Sequence, residues 1–172
     1  GNPVNPAGFA LRNIHEFSKR EWEVLLRPGD IMIDMHIPSG GKMTSEACLD
    51  SFRKAFAFFK QQHPGTFKPV IISHSWIFNT QFEEMLPESN LASLMRECFL
   101  FPSNSNGRDG MYFLFGRDYD DLSQAPHNTS VRRAMLSVLE QRKRLRSGGM
   151  LFFEEELEAF GSAPYRNSFS LP

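Results

Sequence analysis

Two short apolar stretches carry the side chains whose types and spacing suit acid–base chemistry. In residues 31–37, Asp34 and His36 alternate with Ile31, Ile33, Met35 and Ile37. Alternate residues of an extended chain point to opposite faces, so the carboxylate and the imidazole share one face and the apolar residues fill the other. In residues 70–78, Ile72, His74 and Trp76 share a face, and Ser73 and Ser75 take the opposite one. Histidine is the natural general base near neutral pH, and Asp34 or a serine such as Ser75 would orient it or relay a proton. If the two stretches are neighbouring strands, His36 and His74 come together across the sheet. The same residue types also serve simply to satisfy backbone groups. Asp34, His36 and His74 would compose a metal trio, but no close His or Cys spacing accompanies them, and no metal is expected. No G-x-S-x-G elbow is present for a serine hydrolase.

Between the two stretches lies a glycine-bearing loop, Ser39, Gly40, Gly41, Lys42, Met43 and Thr44. The glycines let the backbone turn tightly and approach a ligand closely. Thr44 is placed to cap the helix that follows, with Glu46 in its first turn. A strand leading through glycines into a helix N-terminus gathers free N–H groups, an arrangement suited to phosphate. An ordinary strand-to-helix connection has the same appearance.

The elements that would position these groups follow from periodicity. Residues 21–26 alternate, with Trp22, Val24 and Leu26 on one face, and Arg27-Pro28-Gly29-Asp30 is a turn, so a hairpin with residues 31–37 is expected. Residues 44–62 repeat Cys48, Phe52, Ala55 and Phe59 at helical spacing, and His63-Pro64-Gly65 stops them. Residues 70–78 form the next strand. Thr80-x-x-Glu83 opens a short helix as a capping box, and residues 90–97 make a second. Residues 99–101 and 111–115 read as a hairpin around the polar loop SNSNGRDG. A longer helix runs from Asn128 or Thr129 to Arg146, ended by Gly148 and Gly149, and residues 150–153 form a last strand. The expected fold is α/β, a mixed twisted sheet with flanking helices. Residues 1–20 read as an arm or linker, 21–160 as the domain and 161–172 as a tail.

Composition narrows the function classes. The 172 residues carry a net charge of −1, which gives no reason to expect nucleic acid or an anionic membrane as partner. The run Arg142-Lys143-Arg144-Leu145-Arg146 reads as the solvated end of a helix. Seventeen Phe fall mostly in periodic runs, which points to core packing rather than base stacking. No apolar run reaches the length of a membrane span and no signal-peptide pattern opens the chain, so a cytoplasmic protein is expected. Cys48 and Cys98 read as buried thiols. Residue 1 is Gly, so a processed chain or a cut piece of a longer one is expected.

The order of strand, glycine loop, helix, strand, helix and hairpin resembles the C-terminal half of the GNAT-type acyltransferase fold. The strings HIPSGGKMT-SEACLDSF, SHSW and FLFGRD resemble the GNAT-like C-terminal domain of bacterial acyltransferases, over about residues 22–117. The resemblance implies an N-acyltransferase that moves an acyl group from acyl-coenzyme A to a small amine acceptor, with a separate N-terminal domain ahead of this one. It implies that residues 39–44 hold the coenzyme A pyrophosphate. The family's pyrophosphate pattern and its tyrosine acid have no counterpart here, Phe78 and Phe82 standing in the tyrosine's region. A non-catalytic GNAT-like binding module and a metal-dependent hydrolase are the other readings.

Overall fold

The computed structural model describes residues 1–38 and 40–168. Four strands form one mixed sheet in the order β1-β2-β4-β3: β1 (Ile33–Asp34), β2 (Val70–Ser75), β3 (Phe99–Ser103) and β4 (Ser147–Phe153). β1 and β2 run parallel, with Ile33 opposite Ile71 and Asp34 opposite Ile72. One helix, α1 (Ser45–Gln62), joins them, as a strand–helix–strand crossover requires. The sheet is mixed because β4 is antiparallel to both of its neighbours.

Register sorts the side chains into two faces. Ile33, Ile71, Ser73, Met150, Phe152 and Leu100 are buried on one face. α1 lies against it through Cys48, Phe52 and Phe56, and the rings of Phe52 and Phe152 are 4.9 Å apart. Each fully buried Phe contributes about 1.5–3 kcal/mol by leaving water, which outweighs the few tenths lost to helix propensity. The opposite face carries Asp34, Ile72 and His74, none of them fully buried.

Helices α2 (Thr80–Met85), α3 (Asn90–Glu97), α4 (Met111–Phe115), α5 (Ser130–Glu140) and α6 (Pro164–Ser168) complete the fold. Four of the helices start on a local side-chain cap. Thr44 Oγ1 accepts from Ala47 N at 3.3 Å, Ser89 Oγ from Ala92 N at 3.1 Å and Thr129 Oγ1 from Arg132 N at 3.2 Å. α2 begins one residue away from the expected cap, because Asn79 Oδ1 accepts from Gln81 N and Thr80 is already helical. Both thiols are buried, and burial pushes the pKa of Cys48 and Cys98 up.

Several expectations are corrected. Residues 21–26 form no strand, and Trp22, Val24 and Leu25 are exposed, although the Arg27–Asp30 turn forms with Asp30 N on Arg27 O at 3.0 Å. Alternation supplied a face but no strand edge pairs with it. The strand expected over residues 31–37 shortens to Ile33–Asp34. Residues 111–115 are helical rather than extended; five consecutive apolar residues have no period, and Gly110 and Gly116, both at positive φ, bracket a single helical turn. α5 ends at Glu140 rather than Arg146. Arg142 takes a positive φ, and Leu145, 1% exposed, is drawn into the core with its N–H on Gly107 O. Gly148 and Gly149 therefore lie in the centre of the sheet instead of ending a helix.

The N-terminal residues pack on the sheet edge. Ala7 bridges Leu100, and Leu100 N donates to Pro6 O at 2.9 Å. At the other end, Glu97 Oε2 accepts from Gly161 N and Ala163 N, and Arg166 pairs with Glu83 at 3.0 Å. No helix among the described residues is long and apolar enough to cross a membrane.

Candidate functional site

β1 stops at Asp34 whereas β2 runs on to Ser75, so the parallel pair parts at its carboxyl end. The last backbone bond is Met35 N on Ile72 O at 2.8 Å. Beyond it the Ser73 hydroxyl donates to Met35 O at 2.9 Å, which ties the end of β1 to β2 through a side chain. Ligands of open α/β sheets bind beyond the carboxyl ends of parallel strands, which is where this opening lies.

Asp34 and His36 meet as their spacing requires. His36 Nε2 is 3.3 Å from Asp34 Oδ2, on side chains 90% and 61% exposed. The carboxylate and the imidazole are therefore neighbours on a face open to solvent. His74 is exposed and packs differently. Its ring meets the edge of Phe101 with centroids 5.0 Å apart, and Gly149 lies between them in the register of three strands. An added Cβ on Gly149 would stand 2.3 Å from Phe101, so the ring lies across the glycine. The two histidines make no mutual bond among the described residues. Ser75 is spent locally, since its Oγ accepts from Ile77 N at 3.3 Å and caps a turn of 3-10 helix over Trp76–Phe78.

The glycine loop turns where expected. Gly40 has φ +82°, Gly41 N donates to Pro38 O at 3.2 Å, and Met43 is also at positive φ. Ser39 lies outside the described residues. Lys42 is exposed, and Asn90 Nδ2 donates to its carbonyl at 3.3 Å, anchoring the loop to the start of α3. Thr44 Oγ1 and Thr44 O take the N–H groups of Ala47 and Cys48. Among the described residues the N–H groups of Ser45 and Glu46 have no acceptor, so two donors point out of the helix end. The Glu46 carboxylate stands in the same turn and opposes an anion there.

One cluster at this end was not read from the sequence. Trp76 stacks on Phe113 with centroids 6.4 Å apart and meets Phe82 edge-on. Gly110 lies under the indole, where an added Cβ would be 2.6 Å from the ring. Reading residues 111–115 as a strand hid this contact; the adjacent Asp109-Gly110 pair was the available signal for a turn.

The sequence matches the GNAT-like C-terminal domain over residues 8–151. This chain belongs to that family. The GNAT-like domain is also similar to solved acyltransferase structures. One, crystallised with decanoyl-CoA and teicoplanin, is 25% identical with a TM-score of 0.63. A mutant in complex with octanoyl-CoA is 24% identical, and a third, with CoA and 10C-Teicoplanin, is 23% identical, both at the same TM-score. Each match covers 70% of this chain and 40% of the other, so the domain spans about two-fifths of the length of those enzymes. No curated protein matches the chain. Among the described residues no group of three His, Cys, Asp or Glu side chains converges to hold a metal.

Proposed function

We propose that this GNAT-like domain is the acyl-coenzyme A half of an N-acyltransferase whose acceptor is an amine. The observation that carries the reading is the parted β1–β2 pair, after which the chain runs through residues 40–44 into the N-terminus of α1. It is supported by likeness to acyltransferases crystallised with acyl-CoA.

The pyrophosphate would lie over residues 39–44, held by backbone N–H groups of the loop and of Ser45 and Glu46, with the Lys42 ammonium adding charge. The acyl thioester would then enter the opening beyond Met35. A backbone N–H at that opening would polarise its carbonyl. His36, oriented by Asp34, takes a proton from the ammonium form of the acceptor, since only the free amine has a lone pair for attack. The amine nitrogen bonds to the thioester carbon, the C–S bond breaks, and the surplus proton on that nitrogen passes to the departing sulfur, so that coenzyme A leaves as the thiol. His74 is the alternative base, and Ser75 contributes through the turn it caps. The remaining three-fifths of the related enzymes' length leaves room for a separate N-terminal domain that supplies acceptor contacts.

A second reading is a non-catalytic binding module, favoured by Glu46 in the helix turn that would face the pyrophosphate. Release of coenzyme A from octanoyl-coenzyme A, measured against a panel of small amines, separates the two. For the parent we expect amine-dependent release, and for His36→Ala a loss of about 100-fold. A comparable loss in His74→Ala alone would move the base to β2. No amine-dependent release by any variant would leave the binding module.

A further inference from the structure

A second cleft, of about 360 Å³, lies between the N-terminal segment and the start of β4; residues 40–44 do not line it, and its Phe101 wall is the ring that meets His74. That volume is within the range of small-molecule sites, roughly 300–1,000 Å³. Its walls include Phe9, Phe101 and Pro102, and Thr80, Arg144 and Arg146 supply polar groups. We infer that it binds a small amphipathic anion, an apolar body bearing a carboxylate or a phosphate. The inference does not depend on the acyl-transfer reading.

The cations are held in place by buried neighbours. Gln81 is 8% exposed, and its side-chain amide brackets the segment, donating to Arg144 O at 3.2 Å and accepting from Arg146 N at 3.0 Å. Leu145 between them is 1% exposed, and its carbonyl accepts from Ser105 Oγ at 2.7 Å. Residues 144 and 146 thus border the cleft while 145 anchors the chain. Arg146 reaches Thr80 Oγ1 at 3.1 Å, lies 5.3 Å from the Phe9 ring centroid, and is 3.9 Å from Glu84. Arg144 donates to Ser105 O at 3.2 Å and has no carboxylate partner among the described residues.

Arg144 and Arg146 bring two positive charges to the cleft lining, and the one carboxylate paired with either among the described residues is Glu84, 3.9 Å from Arg146. An anion in the cleft would offset the excess. Guanidinium forks suit carboxylate and phosphate oxygens, and the aromatic wall suits an apolar body of ring size. The wall is preformed, because Gly8 at φ +84° packs against Thr80 and Leu100 and delivers Phe9 to the rim. An added Cβ there would meet Thr80 at 3.0 Å.

The test is calorimetric titration with 2-naphthoate, alongside 2-naphthylmethanol, which lacks the charge, and acetate, which lacks the body. Naphthoate is expected to bind one per chain, with the other two at least about tenfold weaker. Arg144→Gln and Phe9→Ala should each weaken naphthoate about tenfold, while Arg142→Gln, on the same run but outside the cleft, should not. Arg144→Lys keeps the charge and serves if the glutamine variant misfolds; it should still lose several-fold through its single-point geometry. Saturating coenzyme A should leave the affinity unchanged. Equal binding of all three compounds, equal effects of Arg142→Gln and Arg144→Gln, or competition by coenzyme A would each overturn the assignment.

Discussion

The imidazole of His74 touches the ring of Phe101 across a strand that separates them, and it does so over a glycine. Gly149 on β4 stands opposite His74 on one side and Phe101 on the other. With no side chain in the way, the Phe101 ring lies across the middle strand and meets His74 at 5.0 Å. A central glycine normally weakens a strand; here it makes room for the contact between Phe101 and His74.

Gly149→Ala should therefore displace Phe101 and cost about 1–3 kcal/mol through overpacking. Urea unfolding of Gly149→Ala, Phe101→Ala and the double variant forms a cycle in which the two effects should not add. Strict additivity would mean that the ring does not rest on the glycine.

Removing the hydroxyl that starts α1 should act locally. Thr44→Ala leaves Ala47 N–H without its acceptor and should lower stability by about 1 kcal/mol. Thr44→Ser, which keeps the oxygen, should stay close to the parent in denaturant midpoint.

Glu46 opposes an anion at the same helix end. Glu46→Gln should strengthen coenzyme A binding about two- to fivefold at low salt, with the gain shrinking as salt is raised. Titration at two ionic strengths reads both effects, and a weaker or unchanged affinity would place the phosphates elsewhere.

Alkaline pH should unfold the domain early. Burial raises the Tyr165 phenol and, more completely, the Cys98 thiol above their ordinary ranges. Their neutral forms are favoured by folding, so this stability is fully present below the unfolded values, about 8.5 for Cys and about 10 for Tyr. It is lost as pH rises through those values toward the higher folded ones. Melting temperature should fall steadily above about pH 9, and Tyr165→Phe should flatten the upper part of that slope. A flat profile to pH 11 would contradict the burial of both groups.

The residues that made the fold legible were those with a clean period. Cys48, Phe52, Ala55 and Phe59 gave α1, Thr44 gave its start, and the single helix between two apolar strands gave the parallel pair. Asp34 and His36 lie 3.3 Å apart, as a spacing of two along an extended stretch suggests. What sequence could not supply was competition between segments for partners. Residues 21–26 have a strand pattern and no edge to join, residues 111–115 have no pattern at all, and Leu145 is pulled from a helical run by burial. For the same reason the Trp76–Phe113 stack and the cleft beside Arg144 were invisible, since both depend on where residues 103–110 and 142–146 turn.

Coenzyme A binding at the glycine loop tests the account most directly. Gly41 has an ordinary φ, and an added Cβ would meet Pro38 O at 3.3 Å, so Gly41→Val should fold while crowding the loop. Calorimetric titration of the parent with coenzyme A should give one site per chain and a concentration-dependent rise in melting temperature. Gly41→Val should lose that binding while still melting cooperatively. Equal affinity in the two proteins, or no heat and no melting shift for the parent at millimolar coenzyme A, would contradict the assignment of residues 39–44 to the pyrophosphate.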